Sequence, residues 1–352
     1  MQSLKLSEIV INWYKKNLRI LPWRPKNFYQ KIDPYIVFLS EFMLQQTTVK
    51  TVVPYFINFM KKYPTIEILA KAKLDDVLAI WSGLGYYRRA NNLYKSSKII
   101  TNELNGVIPN NYEDLIKLPG IGDYTAAAIC AIAFDKKVVV IDGNIERVIS
   151  RLFELDLRGN DLKKKVREIL FLNIPGKENS LFTQGLMDIG ATICKPKIIN
   201  CERCPLSENC RVAFKNSAIN YPLKIIKEKK IKRTGNFYCL INSKKEILFL
   251  RNINLGLFEN MHVLPSDGWL KDNHNLDFNI FSIKERFDCG VIKHSFTHFD
   301  LDSKVILLKL DDNQIKLKDN CIFIKPENLD MFSIPTLYLS LIHISEPTRP
   351  GH

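Results

Sequence analysis

Residues 118–144 read LPGIGDYTAAAICAIAFDKKVVVIDGN, and the reading of this stretch decides the fold. It opens on Leu118-Pro119-Gly120-Ile121-Gly122, a turn with two glycines one residue apart, and continues into an alanine-rich run at 125–133. Small apolar residues on every side make that run a closely packed helix. A turn whose backbone amides face outward at a helix N-terminus is suited to a phosphate. The β-branched run at 138–141 then delivers an acid, Asp142, into Gly143-Asn144. An acid shortly after a phosphate turn is a candidate for chemistry on whatever carries that phosphate.

Toward the N-terminus, from Leu6 to about Asn220, apolar residues recur with helical spacing between Gly, Pro and Asn breaks. Asp33-Pro34 is a cap followed by a proline at the first turn. The helix it starts, 35–45, reads YIVFLSEFMLQ and carries Glu41 with Val37 and Phe38 one turn before it and Leu44 and Gln45 after it. A carboxyl on so apolar a face is desolvated and its pKa raised, as a general acid requires. The alternative is a Glu41 that points sideways to solvent. Further helices are expected at 49–62, 65–72, 74–82, 92–104 and 112–117. Gly83-Leu84-Gly85 breaks the chain before Tyr86-Tyr87-Arg88-Arg89, a cluster suited to stacking on bases and neutralising phosphates. The same cluster also fits a helix start with its tyrosines packed on the core. The LPGIG turn therefore joins two helices, a helix-hairpin-helix expected over 112–133, whose amides grip a DNA phosphate without reading sequence.

The 352 residues leave room for two domains. Fifty-one Lys and Arg against 37 Asp and Glu give a net charge of +14, which favours a polyanionic partner; a Lys-rich surface from a biased genome gives the same balance. All six histidines, His262, His274, His294, His298, His343 and His352, follow residue 260, so acid–base chemistry in the first part rests on carboxylates, Tyr, Lys or water. No apolar run approaches the roughly 18 residues of a membrane span, and the N-terminus lacks a signal-like core. A soluble cytoplasmic protein with reduced thiols is expected.

Cys194-x6-Cys201-x2-Cys204-x5-Cys210 places four of the eight cysteines close together with no histidine nearby. In a reducing compartment this is a thiolate metal site, for an iron–sulfur cluster or for tetrahedral zinc. Cys130, Cys239, Cys289 and Cys321 are scattered and fit buried apolar positions. The basic stretch at 223–234 is expected to link two domains, and β-rich runs at 236–250 and 305–310, with a turn at 254–256, make 235–338 a smaller α/β or α+β domain.

These residues resemble a known family. LPW at 21–23, LSEFMLQQT at 39–47, GLGYY at 83–87, LPGIGDYTAAAI at 118–129, IDGNIERV at 141–148 and the cysteine spacing are similar to the A/G-specific adenine DNA glycosylases, the MutY family of the helix-hairpin-helix glycosylase superfamily. The resemblance implies an all-α glycosylase domain over 1–222, with two helical subdomains around the active site, and a C-terminal NUDIX-like domain over 235–338. It implies one 4Fe–4S cluster on the 194–210 loop, and it favours that cluster over zinc. The implied activity is removal of adenine opposite 8-oxoguanine or guanine in double-stranded DNA, by a monomer associated with a bacterial nucleoid.

Residue by residue, Glu41 matches the acid that protonates the flipped adenine at N7. Asp142 matches the aspartate that faces the sugar cation, with Tyr124 and Asn144 supporting the pair. Trp23, Arg24, Leu44, Gln184 and Met187 match pocket positions; Gln46 and Tyr86 match residues wedged into the duplex. Leu118, Gly120, Ile121 and Gly122 form the phosphate turn. Where related glycosylase/lyases such as endonuclease III carry a Schiff-base lysine, this chain has Tyr124, so a monofunctional enzyme is expected. Phe296-Thr297-His298 falls where the family carries a Phe-Ser-His loop that senses 8-oxoguanine; threonine adds a methyl there. The family's tryptophan and glycines near the start of this domain are replaced by Gly256-Leu257-Phe258-Glu259-Asn260, and no NUDIX hydrolase box is present.

Two further readings compete. A lyase on oxidised pyrimidines or a thymine-mismatch glycosylase is disfavoured by the Phe-Thr-His loop, and the lyase also by Tyr124. A DNA-binding module without activity is disfavoured by the presence of both Glu41 and Asp142. Finally, LSLIHISEPTR at 339–349 resembles the in-frame translation of a transposase sequencing adapter, so 339–352 is expected to be an assembly artefact.

Overall fold

The computed structural model describes residues 6–25, 27, 32–224, 230–253, 257–269, 281–296, 298–311 and 320–345. The chain divides into two compact units, Met1–Ala70 with Lys95–Lys227 and Lys71–Tyr94 with Glu228–His352.

The first unit is helical. In α1 (Leu6–Lys16) the apolar residues Leu6, Val10, Ile11 and Tyr14 are buried. In α2 (Pro34–Leu44) the Asp33 side chain accepts from the Tyr35 amide at 2.9 Å, the expected cap ahead of a first-turn proline. The chain continues through α3 (Val49–Lys62) and α4 (Ile66–Lys71). After α5 (Leu74–Trp81), which belongs to the second unit, and α6 (Arg88–Glu103), which begins there, α7 (Tyr112–Leu115) is a single turn. It was expected to run to 117, but Pro119 lies just ahead and disfavours helical backbone before it. The Leu118 amide instead closes a turn on the Leu115 carbonyl at 3.1 Å.

α8 (Asp123–Phe134) is buried from Thr125 to Ile132. Its alanine surface lets α2 pack directly on it. Then come α9 (Gly143–Leu152), α10 (Gly159–Asn173) and α11 (Asn179–Asp188), the last packed on α1, α8 and α9. Gly185 permits the α1 contact: a Cβ there would meet Val10 Cγ1 at 2.7 Å. A π-helical turn, Ile189–Ile193, continues α11.

The second unit is built on a mixed sheet of β1 (Ile231–Ile241), β2 (Ile247–Arg251), β3 (His262–Val263), β4 (Ser266–Asp267), β5 (Ile283–Ser295), β6 (Phe299–Leu310) and β7 (Cys321–Ile324). The order is β3-β2-β1-β6-β5, with β4 on β1 and β7 on β2. β1 and β6 run parallel from Ile231↔Phe299 to Ile241↔Lys309, and β5 pairs antiparallel with β6. With α12 (Thr336–Ser345) against β5 and β6, this is the expected C-terminal α/β region.

Two boundaries differ from expectation. Residues 231–234, read as linker because they are basic, are strand: the Arg233 guanidinium lies 4.2 Å from the Phe299 ring and donates to the Trp269 carbonyl at 3.2 Å. Residues 71–94, read as part of the helical domain, group with the sheet. There Asp75 pairs with Arg251 at 2.5 Å and Asn91 donates to the Glu259 carbonyl at 3.1 Å. Residues 339–345 continue α12, with Leu341 and Ile342 in the apolar core, because LSLI supplies an apolar face whatever the origin of its codons. The turn at 254–256, Thr297 and 346–352 lie outside the described residues. Among the described residues no helix is long and apolar enough to cross a membrane.

Candidate active site

Glu41 stands in the last turn of α2 and is only 5% exposed. Burial raises its pKa to about 7; the Tyr124 hydroxyl, donating to the carboxyl, pulls it down, Asp142 pushes it up, and Arg24 pulls it down. Its Oε2 atom is buried and has no hydrogen-bond partner. A carboxyl so placed carries a proton near neutrality and has one oxygen free to deliver it.

Asp142 has the opposite surroundings. It caps α9: Oδ1 accepts from the Ile145 amide and Oδ2 from the Asn144 side-chain amide, both at 2.7 Å. The positive end of a helix and two donors suit a carboxylate that accepts and does not donate. Asn144 is itself fixed, since its Oδ1 accepts from Arg147 Nη2 at 3.0 Å. Arg147 also donates to the carbonyls of Gly143, Gly190 and Cys194. Gly190 must be a glycine for this packing, because a Cβ would lie 2.6 Å from Asn144 Cβ.

Tyr124, in the first turn of α8, reaches Glu41 through its hydroxyl, and burial pushes its own pKa well above the ordinary tyrosine value. It offers no amine. Around these groups lies a cavity of about 560 Å³ lined by Glu41, Tyr124, Asp142 and Asn144. Trp23, Arg24, Leu44, Gln184 and Met187 line it too, so the fold gathers nine candidates from five segments. Trp23 packs edge-on against Phe56, with centroids 5.3 Å apart. Gln184 is buried, its Oε1 accepting from Tyr14 at 3.2 Å and its Nε2 donating to Ser180 Oγ at 3.1 Å. Both ends of that amide are thus engaged within the protein.

Arg24 forks onto Asp188, and Arg19 shares the same carboxylate. Neither Asp188, Arg19 nor Arg147 stood out in the sequence. Nothing local marks them; their partners lie across the fold, Asp188 being 164 residues from Arg24.

The other candidates lie apart from this cavity's lining. In the 118–122 turn, Leu118 and Ile121 are buried anchors, whereas Gly120 (φ +80°) and Gly122 are exposed. Gly122 caps α8 with no side chain to occupy the first amides. Gln46 and Tyr86 are exposed, and both hold left-handed backbone (φ +57° and +49°), a strained state for such side chains. The Tyr86–Arg89 cluster divides. Tyr87 and Arg89 are buried, and Arg89 donates to the Leu84 and Gly85 carbonyls beneath Trp81, so it is not the phosphate contact its charge suggested. Its fork satisfies carbonyls that the glycine-rich turn leaves open.

Cys194, Cys201, Cys204 and Cys210 line one small cavity with Arg151. Arg151, almost fully buried, donates to Cys194 Sγ at 3.2 Å and to the carbonyls of Lys195 and Pro196; the Phe214 amide donates to Cys201 Sγ at 3.5 Å. Among the described residues no three His, Cys, Asp or Glu side chains converge to hold a metal ion. At the β5–β6 tip, Phe296 is half-buried, stacked on Phe299 at 4.6 Å, and His298 is exposed.

A family model described as HhH-GPD superfamily base excision DNA repair protein matches residues 39–174. An adenine DNA glycosylase of Buchnera aphidicola subsp. Schizaphis graminum is 38% identical over 317 residues, 86% of this chain and 87% of that protein. One of Buchnera aphidicola subsp. Baizongia pistaciae is 33% identical over 347 residues, 97% of each. The solved structure of a thermostable thymine-DNA glycosylase superposes with a TM-score of 0.51 at 29% identity, covering 59% of this chain and 95% of that one. Helical fold, hairpin turn and paired carboxylates define a base-excision DNA glycosylase. Within that class, the chain belongs to the adenine DNA glycosylase, or MutY, family.

Proposed function

We propose that this glycosylase removes adenine from double-stranded DNA in which it faces 8-oxoguanine or guanine, without lyase activity. The observation that carries the reading is the pairing of a buried acid, Glu41, with a helix-capping carboxylate, Asp142, in one cavity. Adenine inside a duplex is out of reach of such a cavity and must be flipped into it, between Trp23, Leu44 and Met187. Glu41 gives its proton to N7, which prepares the base to leave with the electrons of the N-glycosidic bond. The sugar becomes an oxocarbenium ion, and Asp142 stabilises it or bonds to it transiently at C1′. Water then adds at C1′ and loses its proton to a carboxylate, leaving free adenine and an abasic site. Tyr124 orients Glu41, and Asn144 orients Asp142.

The exposed Gly120 and Gly122 suit the approach of a backbone phosphate; Gln46 and Tyr86, exposed and strained, suit insertion into the stack. In the second unit, Phe296, Thr297 and His298 are the groups we assign to 8-oxoguanine. Cys194, Cys201, Cys204 and Cys210 line one cavity and N–H donors reach two of the sulfurs, which supports a 4Fe–4S cluster there. When bound, the cluster would tie together a loop that holds only short 3₁₀ turns and one isolated β-bridge. Iron and acid-labile sulfide in the purified protein, with no stoichiometric zinc, are the expected analysis.

The test offers four duplexes: 8-oxoguanine:adenine, guanine:adenine, guanine:thymine and thymine glycol. Abasic sites are then cleaved with alkali. Strand breaks confined to the last two would overturn the reading in favour of a thymine or oxidised-pyrimidine enzyme.

A further inference from the structure

Three charged side chains outside the reacting pair, Arg19, Arg24 and Asp188, line the cavity that holds Glu41. Asp188 ends α11 and is fully buried. Arg24 reaches it with both terminal nitrogens, Nη1 to Oδ2 at 2.5 Å and Nη2 to Oδ1 at 3.0 Å. Arg19 Nη1 shares Oδ1 at 3.1 Å. A forked pair of this kind fixes orientation as well as charge. Arg24 is also backed by the Tyr14 ring, 5.6 Å from its guanidinium carbon. The trio carries two positive charges and one negative, a net +1, in a cavity where charges are screened less than in bulk water.

The charged and titratable groups that face Glu41 are Tyr124 from α8, Asp142 from the start of α9 and Arg24 from the segment after α1. Arg147 and Lys195 also line the cavity, and Arg147 is committed to Asn144 and three carbonyls. Of the three groups facing Glu41, Arg24 is the one whose charge is offset by Asp188.

We propose that Asp188 is a positioning residue for proton donation: by tying Arg24 and Arg19 into one ion-paired group, it limits the positive charge presented to Glu41 and lets that carboxyl keep its proton. This rests on Glu41 being the acid. Neutralising Asp188 raises the trio to +2 and favours the Glu41 carboxylate. Neutralising Arg19 lowers it to zero and favours the acid.

The experiment measures single-turnover adenine release from an 8-oxoguanine:adenine duplex across pH for wild type, Asp188→Asn, Arg19→Gln and Glu41→Gln. In wild type the rate should fall as pH rises through about 7. Asp188→Asn should move that limb down by ~0.5 pH unit or more, and Arg19→Gln should move it up. Loss at every pH with an unmoved limb would make Asp188 merely structural and overturn the proposal. If thermal melting finds Asp188→Asn unfolded, Arg19→Gln carries the test, and an unmoved or downward limb overturns it. Adenine release by Glu41→Gln would remove the general-acid reading itself. An inactive Glu41→Gln with unshifted limbs in the other two variants sinks this proposal alone.

Discussion

Tyr124 and Glu41 share a hydrogen bond that engages one side of the carboxyl and leaves Oε2 buried with no partner in the protein. The arrangement ties α2 to the first turn of α8, the helix that follows the 118–122 turn. Burial, acting against that hydrogen bond, makes Glu41 costly to ionise, and that cost is measurable.

Glu41→Gln keeps the shape and removes the charge. Below pH 4.5, the ordinary glutamate value, folded and unfolded chains both hold the proton and burial carries no charge penalty. Between pH 4.5 and about 7 the unfolded chain ionises while the folded chain keeps its proton, so wild type loses stability that the variant keeps. The variant should gain on the order of 3 kcal/mol over wild type in alkali and close to nothing in acid, read by urea unfolding at the two pH values. Its excision rate should drop by ~10²-fold or more while mispair binding persists. An equal stability offset at both pH values would contradict a buried acid.

Tyr124 makes two separable predictions. With no lysine at this position, borohydride should trap no covalent DNA adduct at lyase-like yield. Tyr124→Phe removes the hydrogen bond that favours the Glu41 carboxylate, so the alkaline limb of the pH–rate profile should move to higher pH. A limb that moves down would mean the hydroxyl is not donating to Glu41.

How far the sequence reached depends on whether a residue's role is local. The Asp33-Pro34 cap, the buried run of α2 and the alanine face of α8 follow from spacing, and all three appear at the expected residues. Glu41 could be read as buried because its own helix is apolar all round. Asp142 was legible as an acid but not as a helix cap bonded to Ile145, a consequence of where α9 begins. Arg19, Arg147, Arg151 and Asp188 were not legible at all, since each is defined by partners far along the chain. The same limit produced the errors. Arg89 and residues 231–234 look like solvated charge in sequence, yet one satisfies turn carbonyls and the others begin the strand that runs parallel to β6.

Arg88 and Arg89 should therefore part company in binding assays. Arg88 is exposed beside Tyr86, so Arg88→Ala should lower the slope of log affinity against log salt by ~1 if it meets a phosphate. Arg89→Ala should leave that slope unchanged and lower unfolding stability by about 1–3 kcal/mol, because the Leu84 carbonyl loses the Arg89 donor and the Gly85 carbonyl keeps only Trp81 Nε1. A reduced slope for Arg89→Ala would place its charge at the DNA after all.

Gly190→Ala tests whether the Asn144–Asp142 pair needs its close support. The new methyl would fall 2.6 Å from Asn144 Cβ and 3.0 Å from Asn144 Cα and O, backbone atoms that cannot swing aside. Asn144 must then shift, taking with it the 2.7 Å bond it donates to Asp142 and the one it accepts from Arg147. Misplacement of a catalytic group by about 1 Å costs up to ~10²-fold in rate. Single-turnover excision should fall by that order while affinity for the mispair changes little, since neither Asn144 nor Asp142 is on the exposed phosphate turn. A variant as fast as wild type would show that Asp142 works without the position Asn144 gives it.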